Sequence, residues 1–394
     1  MNHHVTLESE PLLAAAREAT GLSRLDGPDL MEPLTRLTAA LRSEAHLNAA
    51  GQQMWAERLH GILVTRLRAC DWFERHPEIL EEQLPPPVVI LGLGRTGTTL
   101  LQRLLAADER FYSAAWWECR FPVPAPDDMA GDQRKALAQA EVAAILAYRP
   151  ELAAIHPWDA LAADEDILLL DQTLLSTTAE CMAFIPSYRD WLIQQDLSPA
   201  YRYLERFLKF IQWQKRQRGI QGSRWVLKTP MHLGYIDHLL SVWPEATFVQ
   251  THRDPLATIP SFTSFVYSLW AGVSDTASPQ EAGQQISGYF ERMLNRCLTL
   301  REHLAPEKFV DVDFRDTVSQ PMQVIERIYK AIDLPLNALA RAQIMGYLAT
   351  HPREGRPTHQ YTLEQFGLTS LDLEHRFARY RARHVAAFQD ISLE

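Results

Sequence analysis

Apolar residues recur at helical spacing over about the first 80 residues of the chain. Leu34, Leu37 and Leu41 lie three or four residues apart, as on the buried face of an amphipathic helix, and similar stripes follow. We therefore predict a helical region over residues 1–84. Three consecutive prolines, residues 85–87, end it, because proline cannot continue a helix.

The rest of the chain alternates short apolar runs with helical patterns. The runs that predict strands are Val88–Leu91, Trp225–Leu227, Thr247–Gln250 and Phe309–Val312. Unbroken runs of β-branched and aliphatic residues are typical of strands buried on both faces of a parallel sheet. Because helical patterns separate the strands, we predict an α/β domain over residues 85–394. Its sheet is P-loop-like and parallel, has helices on both faces, and follows an N-terminal helical appendage.

Composition and charge narrow the possible classes of protein. The 394 residues are 46% hydrophobic and carry a net charge of −10, which argues against disorder and against a general nucleic-acid binder. No C-x-x-C pair occurs among the four cysteines, so they indicate a reducing cytoplasm rather than a disulfide framework. We find no signal-peptide pattern and no apolar run of about 20 residues, and predict no integral membrane segment. The oligomeric state is open.

A glycine-rich loop follows the first predicted strand. Gly92, Gly94 and Gly97 interrupt the apolar run, and Thr98 and Thr99 open the next helical stretch. A strand, a glycine loop and a helix form an anion cradle, because backbone N–H groups and the positive end of the helix dipole converge there.

Two familiar templates fit this loop in part. The glycines match G-x-G-x-x-G, with Glu118 near the distance expected for a ribose-binding acid, which would indicate an NAD(P) oxidoreductase. Gly92, Gly97 and Thr99 also fit the ATP/GTP P-loop of a nucleotide or small-molecule kinase that uses ATP and Mg²⁺. However, Thr98 occupies the position of the P-loop lysine, and a hydroxyl cannot supply its charge.

A third template places the cation inside the loop, at Arg95, followed by Thr96, Gly97, Thr98 and Thr99. This run resembles the phosphosulfate loop of sulfotransferases that use 3′-phosphoadenosine 5′-phosphosulfate (PAPS). In that family a basic residue precedes a Ser/Thr-Gly-Thr-Thr/Asn run. The resemblance implies that these five residues bind the donor.

Two further segments carry the same resemblance. Arg253 follows the third predicted strand and Ser261 lies eight residues later, a spacing that in this family implies a 3′-phosphate site. Lys228 and His232 follow the second predicted strand. They are similar to the Lys-x-Pro-x-His pattern of the bacterial branch, whereas the cytosolic animal enzymes have Lys-x-His. The resemblance implies that Lys228 is catalytic and that His232 is the base.

The last two segments lie towards the C-terminus. Phe314 occupies the position of an aromatic residue that contacts adenine in the family. Arg353 and Arg356 flank a glycine in a segment similar to the loop that closes over the 3′-phosphate. Together the five segments span residues 88 to about 367.

The resemblance implies transfer of a sulfuryl group from PAPS to a hydroxyl or amine of a small-molecule acceptor. Arg95 and Lys228 would balance the charge of the transferred group, and His232 would accept the acceptor's proton. Glu118 and Asp164 are the alternative bases. Fixed cations replace Mg²⁺ in this scheme, so we predict no metal.

Three consecutive acids, residues 164–166, open an apolar run that ends at Leu175. We interpret them as the solvated first turn of a helix, where acids complement the dipole, rather than as a metal site. The main alternative to a sulfotransferase is the P-loop kinase. The NAD(P) oxidoreductase and a non-catalytic scaffold that binds a partner through its N-terminal helices also stay open.

Overall fold

The computed structural model describes residues 7–125, 132–155, 157–351 and 361–386. The strands in this part of the chain are β1 (Val88–Leu91), β2 (Phe111–Tyr112), β3 (Arg224–Lys228), β4 (Thr247–His252) and β5 (Phe309–Asp313). They form one parallel sheet in the order β2-β3-β1-β4-β5. Strand β1 is central, and its Ile90 lies between Lys228 of β3 and Val249 of β4. The predicted P-loop-like α/β fold is confirmed.

Helices make up most of the remaining described residues. Before β1 the α-helices are Ser9–Thr20, Met31–Ser43, Ala49–Arg75 and Glu78–Glu81. Between β1 and β3 they are Thr98–Ala106, Trp116–Arg120, Arg134–Tyr148, Leu152–Ile155, Ile167–Leu170, Thr178–Met182, Pro186–Leu192 and Ser198–Gln217. After β3 they are Ile236–Val242, Pro255–Val273, Pro279–Arg301, Phe314–Ser319, Pro321–Ala331, Ala338–Thr350, Ser370–Arg376 and Ala378–Tyr380. Short 3₁₀ turns at Asp171–Thr173, Pro230–Gly234, Pro306–Lys308 and Glu364–Phe366, and a π turn at Arg381–Val385, complete the set.

Alternate residues of β1 enter two separate apolar cores. Val89 and Leu91 pack on the face that also receives the N-terminal helices. Val88 and Ile90 pack on the other face, against Leu101 and its neighbours from later helices. Successive strand residues point to opposite faces, so an unbroken apolar strand needs helices on both sides, as predicted.

The N-terminal helices form as the apolar spacing predicts. Leu59, Leu63 and Leu67 are fully buried and belong to the same continuous core as Leu227 of β3. The predicted boundary between residues 84 and 85 therefore does not coincide with a gap in this core. The division of the chain into a helical region, residues 1–84, and an α/β domain, residues 85–394, stays a prediction.

Three elements differ from the sequence-based expectation. Strand β2 was not predicted, because two residues are too few to show a period. The helical pattern between the second and third predicted strands forms two elements instead of one helix: a 3₁₀ turn, Pro230–Gly234, and an α-helix, Ile236–Val242. The helix expected after the acids is only one turn long, Ile167–Leu170.

One described helix, Pro255–Val273, is long and apolar enough to cross a membrane by length and composition. The expectation that no apolar run approaches that length therefore holds only in part. Half of the helix is buried inside the protein. Core helices pass the same test, so the finding is weak evidence for a membrane segment.

A cluster of His252, Asp311 and His384 lies beside the end of β4; the two histidines are buried and Asp311 is partly exposed. His252 Nε2 donates to Asp311 Oδ1 (2.7 Å), and the ring of His384 stacks on that of His252 with centroids 4.2 Å apart. Within the described residues this is the one group whose potential metal-ligand atoms lie within 4.8 Å of one another. The Asp311 carboxylate, however, already forms a bidentate ion pair with Arg301 at 2.7 and 2.8 Å.

We expect acid to destabilise the fold through His384. Burial and the neighbouring His252 lower its pKa from 6.5 to about 3, so on acidification the unfolded chain binds this proton first. The stabilisation is complete above about pH 6.5 and is lost as the pH falls towards 3. Between pH 7 and pH 5 the loss should reach up to about 2 kcal/mol in the free energy of unfolding, measured with urea. His384→Phe should remove most of that difference, and an unchanged pH dependence in the variant would contradict the assignment.

Candidate active site

The loops that follow four strands meet at one edge of the sheet. Parallel strands end at the same edge, so Arg95 after β1, Lys228 at the end of β3, Arg253 after β4 and Phe314 after β5 lie together. A cavity of about 1120 Å³ opens here, and Arg95, Arg253, Phe314 and Thr229 line it. The sheet topology therefore assembles the residues that the sequence predicted from separate segments.

The glycine pattern of the loop Gly92–Gly97 (the phosphate loop) has a steric cause. A Cβ on Gly92 would collide with Thr251 Oγ1 of β4, and one on Gly94 with the ring of Phe262. Gly97 has φ 86°, a left-handed value that favours glycine. The three glycines thus let the loop pack against β4 and against the helix Pro255–Val273. Because this packing accounts for the glycines, they are weaker evidence for a dinucleotide fingerprint.

Thr96 fixes the phosphate loop from inside. Its side chain is buried, and its hydroxyl donates to Leu93 O (2.7 Å) and lies 2.7 Å from Thr251 Oγ1. Thr251 Oγ1 in turn donates to Leu91 O at 3.2 Å. The hydroxyl of Thr96 therefore holds the loop on β4, and only its backbone is placed to serve an anion.

The helix Thr98–Ala106 begins at the cavity. Gly97 is its N-cap and supplies no side-chain acceptor, so the N-cap residue leaves the first-turn N–H groups uncovered. Gly97, Thr98 and Thr99 all line the cavity. Backbone N–H groups at a helix N-terminus form an anion site, and this one opens into the cavity.

Arg95, Ser261 and Arg253 meet beside the phosphate loop. Arg95 Nε donates to Ser261 Oγ (3.2 Å), and Arg253 Nη1 donates to the backbone oxygen of Arg95 (2.9 Å). The Arg253 guanidinium lies 4.3 Å from the ring centre of Phe314, which also lies next to Gly97. Arg95 adopts φ 73°, a strained value that these contacts maintain. The structure thus brings together the predicted 5′ and 3′ phosphate sites.

Lys228 and Glu165 form an ion pair beside the cavity. Lys228 is completely buried, and its Nζ donates to Glu165 Oε1 (2.8 Å) and to Thr99 Oγ1 (3.4 Å). Glu165 is 26% exposed and lines the cavity. The lysine charge therefore reaches the start of the anion-binding helix, and the glutamate carboxylate reaches the cavity surface.

His232 is buried away from the cavity. Its Nε2 donates to Asp166 Oδ2 (2.7 Å), and its Nδ1 lies 3.1 Å from the Tyr201 hydroxyl, so both ring nitrogens have partners. Burial would raise the pKa of Asp166, but the charge and hydrogen bond of His232 and the Lys228 N–H outweigh it and lower that pKa. His232 is absent from the cavity wall. Its assignment as the base stays a prediction that this geometry does not favour.

The two alternative bases lie in different settings. Glu118 accepts from Lys215 Nζ (2.6 Å) and from Ala115 N (2.9 Å), and it is buried away from the cavity. Asp164 lines the cavity, but its Oδ1 accepts from Glu165 N (2.7 Å) and its side chain is only 5% exposed. The predicted residues Arg353 and Arg356 lie outside the described part of the chain.

The acids at residues 164–166 are not a solvated helix start, contrary to expectation. Asp164 and Asp166 are buried, and Asp166 accepts from Lys228 N at 2.8 Å instead of capping its own helix. Sequence reasoning therefore missed Glu165 as a site residue. The available signal was that apolar residues flank the acids on both sides, which predicts burial more readily than solvation.

The sheet topology and the phosphate loop define an α/β protein with a helix start suited to anions at its cavity. The sulfotransferase family profile matches residues 86–338, and the chain belongs to that family. It is 25% identical over 299 residues to omega-hydroxy-beta-dihydromenaquinone-9 sulfotransferase Stf3 of Mycobacterium bovis, with 71% of each chain covered. The kinase and oxidoreductase interpretations are not favoured.

Two solved structures are similar over nearly the whole chain. Sulfotransferase STF1 of Mycobacterium tuberculosis is 31% identical with a TM-score of 0.81, over 94% of this chain and 98% of that one. Sulfotransferase STF9 of Mycobacterium avium is 27% identical with a TM-score of 0.85, over 97% of each chain. The likeness therefore includes the N-terminal helices that precede the family match.

Proposed function

We propose that this sulfotransferase uses PAPS as its donor and sulfates a hydroxyl, or less readily an amine, of a small-molecule acceptor. The observation that carries the proposal is the presence at one cavity of two corners that are suited to anions. The helix start at Gly97–Thr99 forms one corner, and the Arg253 guanidinium, which Arg95 links to Ser261, forms the other. A donor with phosphates at both its 5′ and 3′ positions matches this pair, whereas ATP does not require the second corner.

The residues present suit such a donor. First-turn N–H groups of Thr98 and Thr99 would hold the 5′-phosphate, and the Arg253 guanidinium would form a bidentate contact with the 3′-phosphate. Arg95 would balance charge on the sulfuryl oxygens from its position in the phosphate loop. Phe314 lines the cavity and would contact adenine. PAPS supplies an activated sulfuryl group, and the protein supplies position and charge.

Glu165 is the base that the geometry supports best. Its Oε1 accepts from Lys228. Within the described part of the chain its Oε2 has only a long contact with Thr229 Oγ1 (3.4 Å), so it can accept a further hydrogen bond. In the transfer, the acceptor oxygen forms the new S–O bond while the bond from sulfur to the phosphate oxygen breaks. The acceptor proton passes to Glu165, and 3′,5′-adenosine bisphosphate leaves. Lys228 stabilises the negative charge that develops on the departing oxygen.

Asp166 and His232 are positioning residues in this scheme. Asp166 joins the end of β3 to the segment that carries Glu165, because it accepts from both Lys228 N and His232 Nε2. Tyr201 holds the other side of the imidazole. The three buried side chains thereby fix the separation between Lys228 and Glu165.

We propose a cytoplasmic location, because none of the four cysteines forms a disulfide. We also propose a metal-independent reaction, in which Arg95 and Lys228 supply the charge that Mg²⁺ supplies in kinases.

We expect 3′,5′-adenosine bisphosphate to bind in the presence of EDTA. Both anion corners consist of protein groups, so chelation should not change the affinity measured by calorimetry. ATP with Mg²⁺ is the control and should bind more weakly, because it lacks a 3′-phosphate. Tight binding of ATP–Mg²⁺ without binding of the bisphosphate in EDTA would instead support a kinase.

A further inference from the structure

The cavity continues well beyond the donor corners. Its volume of about 1120 Å³ exceeds the roughly 300–1000 Å³ of ordinary small-molecule sites, which leaves room for an acceptor beside the nucleotide. Away from the phosphate loop its lining is mostly apolar. We call this lining the apolar wall: Met54, Trp158, Met182, Phe265, Leu269 and Tyr289.

One face of the N-terminal helix Ala49–Arg75 belongs to the cavity lining. Ala50, Met54, Glu57 and Arg58 all line the cavity. Their spacing of four, three and one residues places them on a single helical face. This helix precedes the family-matched segment, residues 86–338, so the lining includes side chains from outside the segment that carries the donor site.

Contacts on both sides of Met54 fix this helix. At its start, Asn48 N donates to Val273 O (2.9 Å), and a Cβ on Gly51 would collide with the same carbonyl. One turn after Met54, Arg58 forms an ion pair with Asp171. The part of the helix that carries Met54 is therefore fixed beside the cavity, so that the Met54 side chain stays within reach of the apolar wall.

Among the residues that the structure describes, the cations near the apolar wall have anionic partners. Arg58 pairs with Asp171, Arg120 pairs with Glu141, and Arg149 pairs with Glu151. A charged acceptor body would have to break one of these pairs or remain buried without a counter-charge, and both cost free energy. An uncharged apolar body meets no such penalty.

We infer that the acceptor is an uncharged alcohol or phenol with a large apolar body, and that Met54 of the N-terminal helix helps to select it. The inference rests on the proposed function. The hydroxyl lies at Glu165, and the body extends along the apolar wall towards Met54. The N-terminal helical region is thus part of the acceptor site.

A series of straight-chain primary alcohols from butanol to decanol tests the substrate class. KM should fall about three- to fourfold for each added methylene until the wall is covered, since each buried methylene adds favourable transfer free energy. Matched ω-hydroxycarboxylates are the controls and should have KM values at least tenfold higher than alcohols of equal length. No dependence on length, or equal use of the carboxylates, would overturn the inference.

Met54→Asp tests the role of the N-terminal helix, with Met54→Leu as its matched control. The aspartate should raise KM for decanol at least tenfold while KM for butanol and for the donor stays within twofold. Leucine should leave all three nearly unchanged. Equal effects on butanol and decanol would show that Met54 does not contact the acceptor body.

A second variant replaces Met54→Asp if that variant does not fold. A binding measurement separates failure of this inference from failure of the proposed function. Ala50→Asp lies on the same helical face at an exposed position, and it should reproduce the selective effect if Met54→Asp does not fold. Calorimetry with 3′,5′-adenosine bisphosphate separates the two proposals. Absence of nucleotide binding would overturn the proposed function, whereas normal binding without length dependence would overturn only this inference.

Discussion

Glu165→Gln should lower turnover by about 10²–10⁴-fold, the usual effect of removing a positioned base. The amide keeps the size of the side chain and can still accept a hydrogen bond from Lys228, but it cannot take the acceptor's proton. Affinity for 3′,5′-adenosine bisphosphate should stay within a few-fold of the original. The rate of the unchanged enzyme should decline in acid as a carboxylate becomes protonated, and that acid limb should vanish in the variant.

Two control variants separate Glu165 from its rivals. Glu118→Gln changes a glutamate that pairs with Lys215 away from the cavity, so it should keep the acid limb. His232→Asn should lower turnover by disturbing Asp166 and Lys228, yet it should also keep the acid limb. If His232→Asn abolishes that limb and Glu165→Gln keeps it, the histidine is the base.

Arg253→Ala should weaken binding of 3′,5′-adenosine bisphosphate by about 2–4 kcal/mol, because a charge-assisted bidentate contact is lost. Adenosine 5′-monophosphate, which lacks the 3′-phosphate, should bind the variant and the original protein almost equally. Calorimetry with both nucleotides gives the two differences directly.

The structure adds a control to this measurement. Arg253 also donates to Arg95 O and stacks on Phe314, so its removal could loosen the phosphate loop itself. Arg253→Lys retains the charge without the planar fork and should show an intermediate loss for the bisphosphate. Equal losses for both nucleotides in Arg253→Ala would assign the residue to loop support instead of to the 3′-phosphate.

The phosphate loop was predictable because its determinants are local. A buried strand, three glycines and a helix start lie within residues 88–105, and each is recognisable from residue types at neighbouring positions. Arg253 and Ser261 were chosen from the family resemblance, and a strand end and the following helix fix their spacing. Their role at a 3′-phosphate stays a prediction. The parallel sheet then brings the two segments together without any further specification in the sequence.

The proposed catalytic pair, Lys228 and Glu165, was harder to predict because its determinants are distant along the chain. Asp166 lies more than sixty residues before Lys228 and His232, yet it binds both. A sequence pattern cannot show that the turn Pro230–Gly234 directs His232 into the core while Thr229 faces the cavity. Likewise, helical spacing predicted the helix Ala49–Arg75 but not its contact with Val273, which places Met54 in the lining.

The order of the strands along the chain also has a consequence for biosynthesis. The phosphate loop is made early, but Phe314, which lies behind Arg253 and next to Gly97, follows the last strand, β5. A nascent chain that stops before residue 309 lacks the edge strand β5 and the ring of Phe314. The proposed donor site is therefore incomplete until β5 and Phe314 have been made, so donor binding would favour chains that include them over shorter ones.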